Sequence, residues 1–108
     1  MLSYLLIETQ DSFESKDTKK WANLAIDLQD QGAKVVFHLL ENGVLAARSS
    51  SLSSEIKRLI ESGMEVEADL FSLKERGIEK DRQVAGLQIS SPDKIIERMQ
   101  EGFKVLWH

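Results

Sequence analysis

Unbroken apolar runs alternate along this chain with stretches in which apolar residues recur every three or four positions. The first kind of pattern marks strands covered on both faces, and the second marks helices with one buried stripe. Residues 4–8 and 33–40 are runs of the first kind, the latter centred on Val35, Val36 and Phe37. Residues 64–68, 84–89 and 103–107 read as three further strands, with Gly86 weakening the fourth. Between them Trp21, Leu24, Ala25 and Leu28 fall on one helical face, as do Leu52, Ile56, Leu59 and Ile60, and then Ile95, Ile96 and Met99. Gly32, Gly63 and Gly102 each end such a stripe and precede a strand, so one stop-then-extend device is used repeatedly at unequal spacing. That spacing points to βα units and not to a solenoid repeat.

The connections are read in the same way. Residues 9–12 form a polar loop, 44–47 a short helical turn, 48–54 a serine-rich mobile loop and helix entry, and 78–83 a surface loop. A short helix follows Asp69, and Ser91-Pro92-Asp93 starts the last one: serine suits the cap, proline the first turn and aspartate the positive end of the helix dipole. Strands joined by crossover helices pair in parallel. The expected architecture is one domain over residues 1–108, a three-layer α/β/α sandwich on a five-stranded parallel sheet.

A parallel sheet sets its strand carboxyl ends along one edge, where ligands are commonly met. Thr9, Gln10, Asp11, His38, Glu41, Asn42, Asp69 and Ser72 all fall just inside or beyond such ends. Asp69, at the hand-over from third strand to short helix, is the first place to look for chemistry. His38 interrupts an apolar run and reads either as a proton carrier or ligand donor or as a hydrogen-bonded core histidine; His108 is given no role. His38, Glu41 and Asp69 lack a metal-site spacing, so no metal is expected. Ser72, His38 and Asp69 lack a nucleophile elbow and an adjacent oxyanion glycine. No phosphate-binding glycine loop or dinucleotide fingerprint is present, so no cofactor is expected. Trp21 and Trp107 read as core or subunit contacts, with Trp107 the better interface candidate.

Composition narrows the picture further. The 108 residues are 42% hydrophobic and 30% charged, a globular balance, and the net charge of -4 is spread over interleaved acids and bases. Lacking a concentrated basic surface, the chain is not expected to bind nucleic acid. No apolar run reaches membrane-span length, and the N-terminus lacks a basic leader, so no membrane association and a cytoplasmic location are expected. There is no cysteine, which rules out disulfides, thiolate metal ligands and thiol nucleophiles.

Three pieces of sequence resemble the DsrE/DsrF/DsrH-like sulfur-relay family, which includes the Tus sulfur-transfer subunits. They are Val-Val-Phe-His leading to Glu41-Asn42-Gly43-Val44, Gly63-Met-Glu-Val-Glu-Ala-Asp ending in Glu75-Arg76-Gly77-Ile78, and the terminal Gly102-Phe-Lys-Val-Leu-Trp. The resemblance covers nearly the whole chain. It implies a single α/β/α layer domain and assembly as a trimer, a hexamer or a hetero-complex with sulfur-relay proteins. Sulfur-carrying members place a cysteine after the third strand and pass a persulfide to a partner; the equivalent position here is Asp69. A persulfide is held through a thiolate, so that activity does not transfer to a carboxylate. Two readings remain: a cysteine-free accessory subunit acting through protein–protein assembly, or a small-ligand-binding or acid/base protein reusing the pocket with Asp69 and His38, and with Gln10, Glu41, Asn42 and Ser72 around them.

Overall fold

A computed structural model of the chain describes residues 2–50 and 55–108. Leu52 and the serines at 51, 53 and 54, assigned from sequence to a loop and helix entry, lie outside the described residues. The elements follow in the order β1 (Ser3–Glu8), α1 (Thr18–Asp30), β2 (Lys34–Leu39), α2 (Glu55–Glu61), β3 (Glu65–Asp69), α3 (Leu70–Glu75), β4 (Gln88–Ser90), α4 (Pro92–Gln100) and β5 (Lys104–Trp107). Short 3-10 turns occupy Glu41–Ala47 and Lys80–Arg82.

The five strands form one sheet in the order β4-β3-β2-β1-β5, and every pair is parallel. From β1 to β4 each connection steps the same way across the sheet, whereas the connection from β4 to β5 returns past all the others. Because such crossovers are right-handed, reversing the step puts the helix on the opposite face. The packing agrees. Ala22 and Ala25 of α1, Ile56 and Leu59 of α2, and Leu73 of α3 share one core with Leu6, Phe37 and Val66. On the other face Leu5, Ile7 and Val36 meet Ile95 of α4 together with Phe103 and Val105. The sandwich therefore has its thick core on one side and a single helix on the other.

Three expectations are corrected. The fourth strand begins at Gln88 and not at residue 84. Val84 instead donates its N–H to Ala47 O at 2.8 Å, while Gly86 turns the chain at φ +91. A Cβ at Gly86 would stand 2.7 Å from Ile60 Cγ2, so close packing and backbone sign both require glycine there. Second, of the stripe Ile95, Ile96 and Met99, only Ile95 packs against the sheet; Ile96 and Met99 are 54% and 56% exposed. The helix is turned so that Arg98, a residue three positions on from Ile95, faces the strands. Third, Leu24 of α1 is exposed, and Ala22 shares the buried face with Ala25. Trp107, on edge strand β5, is 58% exposed. No helix of the described residues is long and apolar enough to cross a membrane.

Candidate functional site

Strands β3 and β4 are neighbours, yet the chain leaves β3 toward α3 on one face and leaves β4 toward α4 on the other. Such a divergence opens a crevice at the carboxyl end of the sheet, the place where open α/β folds meet ligands. Asp69, the last residue of β3, stands opposite Ser90 there.

Asp69 is also the N-cap of α3. Its Oδ2 accepts the Ser72 backbone N–H at 2.8 Å and the Ser72 hydroxyl at 2.7 Å. The Ser72 oxygen accepts in turn the N–H of Glu41 at 2.9 Å. Four residues beyond Ser72, Arg76 donates through Nε and Nη2 to Asn42 Oδ1, at 3.1 and 2.8 Å, and through Nη1 to Ser72 O. Four of the residues expected on the rim, Glu41, Asn42, Asp69 and Ser72, are thus brought together, with Arg76 as a fifth member. The segments Glu41-Asn42-Gly43 and Asp69 to Gly77, far apart in sequence, are stitched to each other by these bonds. The turn that permits this is tightly specified. Glu41 adopts φ +52, and a Cβ on Gly43 would fall 2.0 Å from the carbonyl oxygen of Glu8, so only glycine lets the loop after β2 cross the end of β1.

His38 goes elsewhere. It is fully buried on the face under α4, where it is the register partner of Glu67. The His38 Nδ1 lies 2.8 Å from Glu67 Oε2, and the other carboxylate oxygen of Glu67 is ion-paired with Arg98. Arg98 also reaches Glu65 at 3.6 Å. Burial alone would raise the Glu67 pKa, but the hydrogen bond from His38, the Ser90 side chain and the charges of His38 and Arg98 together bring it below the ordinary carboxylate value. His38 does not bond Asp69, so the proposed acid/base pair is not formed.

At the far side of the rim, Gln10 donates its backbone N–H to Glu8 Oε2 at 3.3 Å. Glu8 holds a second histidine, His108, whose Nδ1 is 2.8 Å from Oε2 and whose ring packs on Trp21 at 5.5 Å. Thr9 bonds the His108 carbonyl through both its N–H and its hydroxyl. Here burial prevails over the hydrogen bond from His108, and the Glu8 pKa is raised.

Glu8, Glu67, Arg76, Arg98 and His108 are the members that sequence reasoning missed. A carboxylate in mid-strand at residue 67, between apolar neighbours, was the available signal, since a lone buried acid demands a cation. Its partners depend on strand register and helix rotation and carry no sequence spacing.

The chemistry on offer is limited. Asp69 and Ser72 are 3% exposed and bonded to each other, and the Ser72 hydroxyl has no imidazole beside it. No three His, Asp or Glu side chains among the described residues gather as a metal site.

The DsrE/DsrF-like family model matches residues 3–108. Among curated proteins no sequence matches the chain. Several solved structures share its fold. A protein of unknown function from Methanobacterium thermoautotrophicum, MTH1491, superposes with a TM-score of 0.88 at 17% identity, covering 100% of both chains. The ychN protein of E. coli gives 0.84 at 17% identity over 99% of this chain and 100% of its own. The conserved protein of unknown function BT1422 from Bacteroides thetaiotaomicron gives 0.77 at 20% identity, over 97% and 94%.

Proposed function

We propose that this chain, which belongs to the DsrE/DsrF-like family, is an accessory subunit of an intracellular sulfur relay that acts through protein–protein assembly without carrying sulfur itself. The observation that carries the reading is at Asp69. Where sulfur-carrying members would place a thiol, this chain has a carboxylate committed to capping α3 and bonding Ser72. A capped, buried carboxylate maintains the shape of the rim and offers no sulfur-accepting atom. Retaining the rim while lacking the thiol suits a partner that is recognised by shape. The alternative, acid/base work by Asp69 with His38, has less support, because each of the two is bonded to a different neighbour.

The test is reconstitution with the cysteine-bearing family members of the source organism, read by native mass spectrometry. A defined complex that contains both this chain and a cysteine-bearing partner is expected, and incubation with a polysulfide donor is expected to add mass to the partner and none to this chain. Asp69→Asn, which keeps a good capping residue, is expected to leave the complex intact. Failure to assemble with any such protein, or loss of a small-molecule thermal shift on Asp69→Asn, would overturn the proposal.

A further inference from the structure

A half-open cavity of about 490 Å³ lies at the β4 edge of the sheet, outside the Asp69 network. Its floor is Leu73 and Ile78, both buried in the main core, and its walls are Leu70, Leu87 and Ile89. Leu70 and Ile89 remain 42% and 48% exposed, so the walls are apolar surface facing open space.

The cavity is framed by two backbone hydrogen bonds and one from a side chain. Its outer wall is the stretch between α3 and β4, which has little regular structure of its own. That stretch is tied down by Val84 N–H to Ala47 O at 2.8 Å, Ser49 N–H to Arg82 O at 2.7 Å, and Gln83 Nε2 to Ile78 O at 3.2 Å. A preformed apolar concavity of roughly 300–1,000 Å³ with a few polar groups at its margin is the usual form of a small-molecule site. Here the margin carries Lys74 and Lys80, and neither pairs with a carboxylate among the described residues. Glu79 shares the margin and sets the local balance near one positive charge, which suits a single anionic head and disfavours a polyphosphate.

We propose that this cavity binds a small amphipathic carboxylate, with its apolar body against Leu73, Ile78 and Ile89 and its head between Lys74 and Lys80. The site uses none of the rim residues and stands independently of the sulfur-relay reading.

Isotope-labelled protein titrated with decanoate, and in parallel with the uncharged decanol, tests it by amide chemical shifts. Decanoate is expected to saturate at one per chain, moving the amides of Ile78 and Leu87, and to bind more tightly than decanol. The double charge reversal Lys74→Glu with Lys80→Glu, at exposed positions, is expected to weaken decanoate about fivefold or more and to leave decanol unchanged. Ile89→Trp, on the exposed edge, is expected to narrow the cavity and weaken both. No shifts at these amides, shifts confined to another surface, or equal affinity for the two probes with no effect of the charge reversal would overturn the proposal. So would concentration-dependent self-association that buries the same amides and resists decanoate, since the cavity would then be a contact between copies of the chain.

Discussion

The two histidine–glutamate pairs make an instructive comparison. His38–Glu67 and His108–Glu8 each join an imidazole Nδ1 to a carboxylate oxygen at 2.8 Å, and in both the glutamate is almost fully buried. They lie on opposite faces of one sheet. Yet the Glu67 pKa is lowered and that of Glu8 raised. Burial is the largest influence on each, and the difference lies in what opposes it. Glu67 has the Ser90 side chain and Arg98, delivered by α4, in addition to its histidine, while Glu8 has His108 and two backbone N–H groups. A histidine with two backbone N–H groups does not compensate a buried carboxylate here, whereas a histidine with the Ser90 side chain and a guanidinium does. The same requirement turns α4 so that Arg98 faces the sheet and Ile96 and Met99 face out.

This contrast sets the expected mutational effects. Glu67→Ala strands Arg98 and His38 in a buried site and is expected to destabilise the fold by about 3–5 kcal/mol in urea titration. A cost under about 1 kcal/mol would mean that Arg98 swings to Glu65 and that the triad does not hold α4. Gly43→Ala strikes the platform of the other pair, pushing a methyl group into the Glu8 carbonyl. Its expected cost is about 1–3 kcal/mol, with resonance changes at Glu8, Thr9 and His108; a spectrum unchanged there would contradict the close approach.

Acid titration should separate the pairs by sign. Glu67 ionises below the ordinary glutamate pKa when folded, so its contribution to stability is present above that ordinary value and lost as the pH falls through the folded pKa. Glu8, raised above the ordinary glutamate pKa, favours folding at low pH, and that contribution is lost as the pH rises through its folded pKa. The stability difference between the wild type and Glu67→Gln should therefore grow as the pH rises toward the ordinary glutamate pKa, whereas that between the wild type and Glu8→Gln should shrink as the pH rises above it. Slopes of the same sign would erase the distinction. The smallest effect is expected from His108→Ala, about 1 kcal/mol or less, because the ring is partly exposed and its backbone bonds to Ile7 and Thr9 survive.

Much of this was legible before any coordinates. The strands read at residues 4–8, 33–40, 64–68 and 103–107 became β1, β2, β3 and β5: the first two are buried on both faces, which calls for a continuous apolar run, and the last two follow the helix-ending Gly63 and Gly102. The fourth failed at Gly86, where contact with Ile60, a residue of another βα unit, decides the backbone. On the rim, Glu41, Asn42, Asp69 and Ser72 converge as strand ends in a parallel sheet must. The partner of His38 was not legible, since it depends on which residue of β3 stands beside it, and a shift of one position would have turned Glu67 to the opposite face.

The sequence by itself determined the order of strands and helices, the absence of any thiol, and the membership of the chain in its family, because periodicity, composition and short motifs are properties of neighbouring residues. The tertiary structure alone decided that Asp69 serves Ser72 and not His38, that α4 presents Arg98 in place of an apolar stripe, and that an open cavity remains beside β4. These depend on register, helix rotation and crossover direction, which bring distant residues within bonding distance and have no counterpart in local spacing.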